Sequence, residues 1–372
     1  MKIPASEGPY VEFKSEKVRA KELAEEIVAL ANAEGGEIWL GVDDDGRPSG
    51  LMRSYEEDVM AICRTAVVPP LTPSYEEGAA GGRRVARVIV PKGADRPYAT
   101  TSNKYFIRVG STKRAASREE LVRLFQASGL FHYDLVELGQ ATEAHLDLSA
   151  VDAFFHRYDF RFSGEKEEEK RRLLAASDII GRAGRPTVGG LLVFGIAPER
   201  LLPQAGIALA HFQGRELDAE LYDKKSFGGS LPRQVDNALA AIRANLPTPS
   251  VIEGTRRIDA PGYSDRALRE LLVNAVVHRN YSITGSTVRV FLFADRLEIV
   301  SPGRLPNTVT IDKLPVGTSF ARNPLIVRLM ENLGYMDRLG RGLPMVCREA
   351  QRLGKAIAFQ EWGEEFRVTL ER

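Results

Sequence analysis

The 372-residue chain predicts a multidomain protein of mixed α+β and α/β class. Three observations carry that expectation. Between Ser264 and Tyr281, Ala267, Leu268, Leu271, Leu272, Ala275 and Val276 recur at helical spacing, with Ser264 as a ready N-cap. Thr287–Phe293 and Arg296–Val300 then alternate apolar and polar residues on either side of Ala294-Asp295, the pattern of a hairpin. The first 130 residues alternate helical and strand patterns, as one mixed α/β domain would.

In that first domain, residues 1–130, Lys17–Ala33 is an amphipathic helix with Val18, Leu23, Ile27 and Leu30 on its core side, closed by Glu34-Gly35-Gly36. Glu37–Val42 reads as a strand and Asp43–Gly46 as a turn. Tyr55–Thr65 is helical, Val67–Pro73 is extended, and Arg84–Val90 and Lys104–Val109 are strands. Ser117–Ser128 is a helix opened by a capping box, Ser117 with Glu120. Residues 131–255 form a middle α/β connector. Leu148–Tyr158 is helical, and Glu165–Arg172 is a solvated helix face continued by Leu173–Ile180. Pro186–Gly195 starts a buried strand, Gly206–Phe212 is another, Asp218–Gly229 is an exposed loop, and Ser230–Ala244 is a helix. In residues 256–372, helix Leu325–Leu333, a further helix opened by Leu339–Pro344 and running through Leu353, and strands Ala356–Trp362 and Phe366–Glu371 complete a sandwich of helices on a four-stranded mixed sheet.

Composition narrows the function classes. The chain is 44% hydrophobic and 27% charged, enough for sizeable cores. A formal net charge of +1 means that any nucleic-acid surface is a local patch. Cys63 and Cys347 lie far from other thiols or imidazoles at ligand spacing, which suits a reducing cytoplasm and two buried thiols. No apolar run approaches a membrane span, and Met1–Glu7 does not read as a signal peptide. A cytoplasmic protein without membrane contact is expected; homo-oligomerisation stays open.

Two stretches carry chemistry. Lys104, Arg108, Lys113 and Arg114 surround Gly110, Ser111 and Thr112, so cations and turn N–H groups offer a phosphate patch, to which Lys14 adds. A solvated basic loop explains the same residues. Glu270, Asn274 and His278 fall at i, i+4 and i+8, which puts a carboxylate, an amide and an imidazole on one helix face. Gly189-Gly190 lacks a following Lys-Ser/Thr, and no Gly-x4-Gly-Lys-Ser/Thr run exists, which argues against a P-loop motor.

Val11-Glu-Phe-Lys14, Ala31-Asn-Ala-Glu-Gly-Gly36, Ile38–Gly46 and Tyr105–Ser111 together resemble the Schlafen AlbA-like domain over about the first 125 residues. That resemblance implies nucleic-acid binding. It also implies an alternative, a metal-dependent nuclease whose three carboxylates would be Glu7, Glu12 and Asp43.

Leu271–Tyr281, Ile299–Pro306, Ala321–Pro324 and Leu339–Gly342 resemble the RecG-like, divergent ATPase C-terminal domain, a relative of the Bergerat (GHKL) nucleotide-binding fold. That resemblance implies ATP and Mg²⁺. Glu270 would activate water and Asn274 would ligate Mg²⁺. His278 and Arg279 would lie near the phosphates, Ser301 and Gly303 at the adenine-side turn. Arg322 would reach the phosphates from a lid between Pro306 and Pro324, and Gly340, Arg341 and Gly342 would form the phosphate-side turn. One departure matters: where the GHKL turn holds an Asp for the adenine amine, this chain has Ser301-Pro302-Gly303. Many such proteins also carry a C-terminal winged helix, which is not expected here. The leading expectation is an ATP-binding regulator whose AlbA-like domain contacts DNA or RNA. The alternatives are the nuclease and a scaffold with a degenerate nucleotide site.

Overall fold

The computed structural model describes residues 1–246, 250–253, 256–259, 262–307, 309–317, 320–336 and 340–372. They form two compact units, Met1–Phe131 and His132–Arg372. The expected boundary at Thr255, and Thr318, Ser319 and Leu339 of the proposed site motifs, lie outside the described residues.

The first unit runs β1 (Val11–Lys14), α1 (Ala20–Asn32), β2 (Gly36–Leu40), α2 (Glu56–Thr65), β3 (Val67–Val68), β4 (Ser74–Ala80), β5 (Arg83–Val90), β6 (Ala99–Thr100), β7 (Phe106–Val109), β8 (Thr112–Ala115) and α3 (Arg118–Ala127). Its four-stranded sheet has the order β1-β2-β5-β4, with β1 parallel to β2. Alternation along β1 and β2 decides what each face holds. Phe13 and Trp39 pack with Val42 and Val85 on one face, while Ile38, Leu40 and Val88 pack under Leu23, Ile27 and Leu30 of α1 on the other. Glu12 pairs with Ile38 in the register and so faces α1. The capping box of α3 forms: Glu120 N–H donates to Ser117 Oγ at 3.3 Å, and Ser117 N–H to Glu120 Oε2 at 2.8 Å.

The second unit runs α4 (Leu148–His156), α5 (Glu167–Ala176), α6 (Val188–Phe194), β9 (Ile207–Phe212), β10 (Leu221–Phe227), α7 (Leu231–Asn245), β11 (Ser250–Glu253), β12 (Arg256–Asp259), α8 (Asp265–Val277), β13 (Val288–Leu292), β14 (Arg296–Pro302), α9 (Pro324–Asn332), α10 (Gly342–Arg352), β15 (Ile357–Trp362) and β16 (Glu365–Glu371). Its sheet has six strands, β10-β9-β13-β14-β16-β15, rather than four. Because β9 pairs in parallel with β13, residues 132–246 share a sheet and a core with the C-terminal segment instead of forming a separate connector.

Two further expectations change. Residues 188–194 are helix, not strand: Thr187 Oγ1 accepts from Gly190 N–H at 2.9 Å, and every residue of the helix is buried. A segment buried all round shows no period to choose by. The expected loop at 218–229 contains edge strand β10, whose residues are mostly exposed.

Asp134 fastens α9 to the rest of this unit. It is fully buried, and its Oδ2 accepts from the N–H groups of Leu325 (2.7 Å) and Ile326 (3.2 Å) at the start of α9. Burial pushes its carboxyl up to about 6, against the pull of those donors. A raised carboxyl pKa contributes stability that is lost as pH rises through about 6. Asp134→Asn keeps an acceptor without the charge. It is expected to exceed wild type in stability by about 1–3 kcal/mol at pH 7.5, with the gap closing toward pH 4.5. Urea melts across that range check it; a gap independent of pH would contradict the assignment.

Candidate functional site

Helix α8 is built to present one face to a cavity. Ser264 Oγ accepts from Ala267 N–H at 3.1 Å and donates to Glu349 of α10 at 2.9 Å, which sets where the helix starts. Leu268, Leu272 and Val276 are buried in the core and fix its rotation. The opposite side turns Asn274 and His278, with Leu271 and Ala275, into a cavity of about 110 Å³. Ile299 and Ser301 of β14, Phe366 and Val368 of β16 and Leu343 of α10 complete its walls. Val309, Leu314 and Phe320 close it from the segment between Pro306 and Pro324.

The polar groups are oriented. Asn274 Nδ2 donates to Glu270 Oε1 and to Glu270 O, both at 2.7 Å. With the amide nitrogen committed, the Asn274 carbonyl oxygen is the group left to accept from a donor or a cation. Ser301 Oγ donates to Ala275 O at 2.7 Å, so toward a ligand it acts as an acceptor. Gly342, the first residue of α10, lies flat against Glu270: a Cβ there would come within 1.7 Å of Oε1. The N-terminus of α10, preceded by Gly340 and the exposed Arg341, thus opens beside the Glu270–Asn274 pair. A helix N-terminus favours negative charge.

Arg322 is placed differently from expectation. It is 4% exposed, and its guanidinium donates to His278 O at 2.8 Å and to Arg304 O, with no carboxylate in an ion pair with it among the described residues. Burial pulls it down to about 10. It packs so close to Gly303 (φ +119°) that a Cβ there would meet its Nη1 at 2.4 Å. It walls the Ser301–Gly303 end, rather than extending from a lid toward Glu270 and Asn274. His278 caps α8 and lines the same end; burial, helped by the neighbouring Arg322 cation, pulls its imidazole down to about 4. At neutral pH it is an uncharged wall, not a phosphate-attracting cation.

Arg279 does not reach the cavity. It is 1% exposed and donates to the carbonyls of Asn280 and Ile283, both at 2.8 Å, and of Ser286, so it shapes the loop after α8. Arg304, Leu305 and the apolar lid residues were missed. Arg304 and Leu305 lay inside the Ile299–Pro306 motif without a role assigned to them, and the signal for the lid residues was the apolar Val309, Leu314 and Phe320.

In the first unit the expected phosphate cations mostly face carboxylates. Arg108 meets Glu12 at 2.5 Å and Glu26 at 3.4 Å, and Lys14 pairs with Glu12 and Glu26. Lys113 takes Glu26 at 2.9 Å and Glu25 at 3.5 Å, and Arg114 takes Glu120 at 2.6 Å. Burial works to lower the Lys14 ammonium, but Glu12, Glu26 and Glu7 outweigh it and hold it above its usual value. Lys104, Ser111 and Thr112 are exposed. Glu7, Glu12 and Asp43 are not gathered. Glu7 accepts from Phe13 N–H at 3.0 Å, Glu12 lies in the ion network, and exposed Asp43 closes the turn through its backbone with Gly46 and Arg47. Among the described residues no group of three His, Cys, Asp or Glu could hold a metal. Among them, too, no helix is long and apolar enough to cross a membrane.

Residues 7–117 match the family model "Schlafen, AlbA_2". Residues 285–370 match HATPase_c_4, described as "Putative ATP-dependent DNA helicase recG C-terminal". The chain therefore carries a Schlafen AlbA_2 domain in its first unit and a RecG C-terminal HATPase_c_4 domain in its second. The second match includes Ser301, Gly303, Arg322 and the Gly340–Gly342 turn, and begins after α8. The two families associate the chain with nucleic-acid-related ATPase function. No curated protein matches. Among solved structures, the DIP2311 protein of Corynebacterium diphtheriae is similar in fold, with 23% identity, a TM-score of 0.50, and coverage of 98% of this chain and 75% of that one. The N-terminal domain of a RecG-related protein from Nitrosomonas europaea matches 29% of this chain and 82% of its own, at 25% identity and a TM-score of 0.24.

Proposed function

We propose that the second unit binds Mg-ATP in the α8 cavity and that the chain is a nucleotide-responsive, nucleic-acid-binding protein. The observation that carries this reading is the Glu270–Asn274 pair. Its hydrogen bond turns the amide nitrogen toward the carboxylate and leaves a carbonyl oxygen for a hard cation. Asn274 would hold Mg²⁺, which would supply neutralisation of phosphate charge. Glu270 would orient or deprotonate a water, and the Gly340–Gly342 turn would receive phosphate oxygens at the start of α10. The apolar walls would hold the base, with Ser301 as an acceptor where other GHKL domains have a carboxylate. Arg322 and His278 belong to the base end in this reading. Because the expected Schlafen-type carboxylates are paired or dispersed, the nuclease is the weaker alternative.

The test is a calorimetric titration of the full chain with ATP, with Mg²⁺ and again with excess EDTA. Saturable binding that weakens roughly 10-fold or more without the metal is expected. Absence of binding in both arms would leave the cavity as the core of a scaffold.

A further inference from the structure

The second unit's sheet packs one face on helices; its other face carries a different pattern. Val290, Ile299, Val368 and Leu370 point into the core. Their neighbours Arg289, Phe291, Arg296, Arg367 and Trp362 point the other way. The register sets Arg289 opposite Val300 and Val300 opposite Arg367, so two arginines flank one valine in a cross-strand row. Each guanidinium lies by a ring: Arg296 is 4.0 Å from the Phe293 centroid, Arg289 5.8 Å from Phe291 and Arg367 5.9 Å from Trp362. Glu298 pairs with two of them, Arg296 at 2.6 Å and Arg367 at 3.4 Å, Asp295 also takes Arg296 at 3.1 Å, and Glu365 pairs with Arg289. Arg289 Nε has no acceptor among the described residues. Trp362 is 75% exposed at the end of edge strand β15.

We infer that this sheet face binds single-stranded nucleic acid, with Trp362 stacking an unpaired base and Arg289 and Arg367 meeting the backbone. The three arginines are matched by three carboxylates, Glu298, Glu365 and Asp295, and the surplus positive charge comes from exposed Arg215, which shares Asp295 at 3.6 Å, and from Lys224 of β10 on the same face. Aromatic rings and guanidinium groups exposed on a sheet stack bases whatever their sequence, and an exposed indole offers a large face for it. A duplex hides its base faces and has no use for that indole. The site is independent of the nucleotide reading, yet it touches the same wall. Leu305 N–H donates to Glu361 at 2.5 Å and Gly303 N–H to Glu364 O at 2.7 Å, so the β15–β16 hairpin that carries Trp362 braces the loop lining the cavity.

The chain has two tryptophans, and Trp39 is 3% exposed, so quenching by an added oligonucleotide reports Trp362. The full chain is titrated with dT20, U20 and a 20-base-pair duplex, followed by emission and by anisotropy of a labelled strand. Quenching by one or both single strands is expected, with affinity falling roughly 10–20-fold between 50 and 200 mM salt. The dT20 and U20 arms distinguish DNA from RNA. Trp362→Ala, at an exposed position, is expected to weaken anisotropy-detected binding about 10-fold, and Trp362→Phe by much less. Arg367→Ala is expected to weaken binding and flatten the salt dependence. Equal binding of duplex, or unchanged binding by Trp362→Ala, overturns the inference. So does a wild-type dimer that Trp362→Ala converts to monomer in sedimentation, since a second copy would then cover this face.

Discussion

Arg108→Ala is expected to destabilise the first unit by about 3–5 kcal/mol. Its side chain is 2% exposed and serves two carboxylates and two carbonyls at once: Glu12, Glu26, Gly8 O at 2.9 Å and Val11 O at 3.0 Å. Truncation leaves Glu12 and Glu26, 5% and 3% exposed, with only Lys14 and Lys113 to balance them. The loss exceeds that of a surface pair because water cannot replace the missing cation. Burial already raises the Glu26 carboxyl, the charge of Glu12 adds to that, and the hydrogen bond from Lys113 opposes it. A raised carboxyl contributes stability that is lost as pH rises, and removal of Arg108 strengthens that dependence. The deficit should therefore be larger at pH 8 than at pH 5. Urea melts in a Trp362→Phe background, where buried Trp39 is the one tryptophan, read this unit directly. A loss below 1 kcal/mol, or one independent of pH, would show that the network is solvated after all. The same network bears on function. A polyanion drawn to Lys14, Arg108 or Lys113 has to compete with Glu12, Glu25 and Glu26, and a metal on Glu12 has to displace Arg108.

What the sequence revealed and concealed follows from the range of the interactions. Glu270 and Asn274 were legible because a helix places i and i+4 side by side, and Ser264 marks where that helix begins. The alternation of β13 and β14 was legible because one face is apolar and the other is not. Residues 188–194 were not, because burial on all sides erases the period, and β10 was not, because exposure on both faces erases it too. The basic patch misled for another reason. Arg108 and Lys113 find Glu25 and Glu26 on α1, most of a domain away in sequence, and Lys14 finds Glu26 across the turn from β1 into α1. Arg279 beside His278 looked like part of a polar face, yet the turn of the chain at the end of α8 carries it into the core, where loop carbonyls satisfy it.

Asn274→Ala and Gly342→Ala should separate the two roles assigned to the α8 face. Asn274→Ala removes the carbonyl oxygen proposed for Mg²⁺, and Mg-dependent ATP affinity is expected to fall about 10²-fold, while affinity measured in EDTA hardly changes. Gly342→Ala leaves Asn274 intact, and the bond from its amide to Glu270 O holds that amide in place. The new methyl meets Glu270 Oε1, Cδ and Cγ at 1.7, 2.2 and 2.9 Å, so the carboxylate has to swing away. The backbone of Gly342 is not in the left-handed region, so alanine itself fits the start of α10. Turnover is then expected to fall roughly 10²–10³-fold, the range of a lost general base, with ATP affinity within about 3-fold of wild type. Steady-state phosphate release together with calorimetry distinguishes the outcomes. If Gly342→Ala turned over ATP at the wild-type rate, Glu270 would be a support for Asn274 and not the base. If both variants lost affinity equally, the carboxylate and the amide would act as one binding unit. Wild-type protein that binds ATP without releasing phosphate would place the domain among nucleotide sensors, in which Glu270 serves only to hold Asn274 toward its cation.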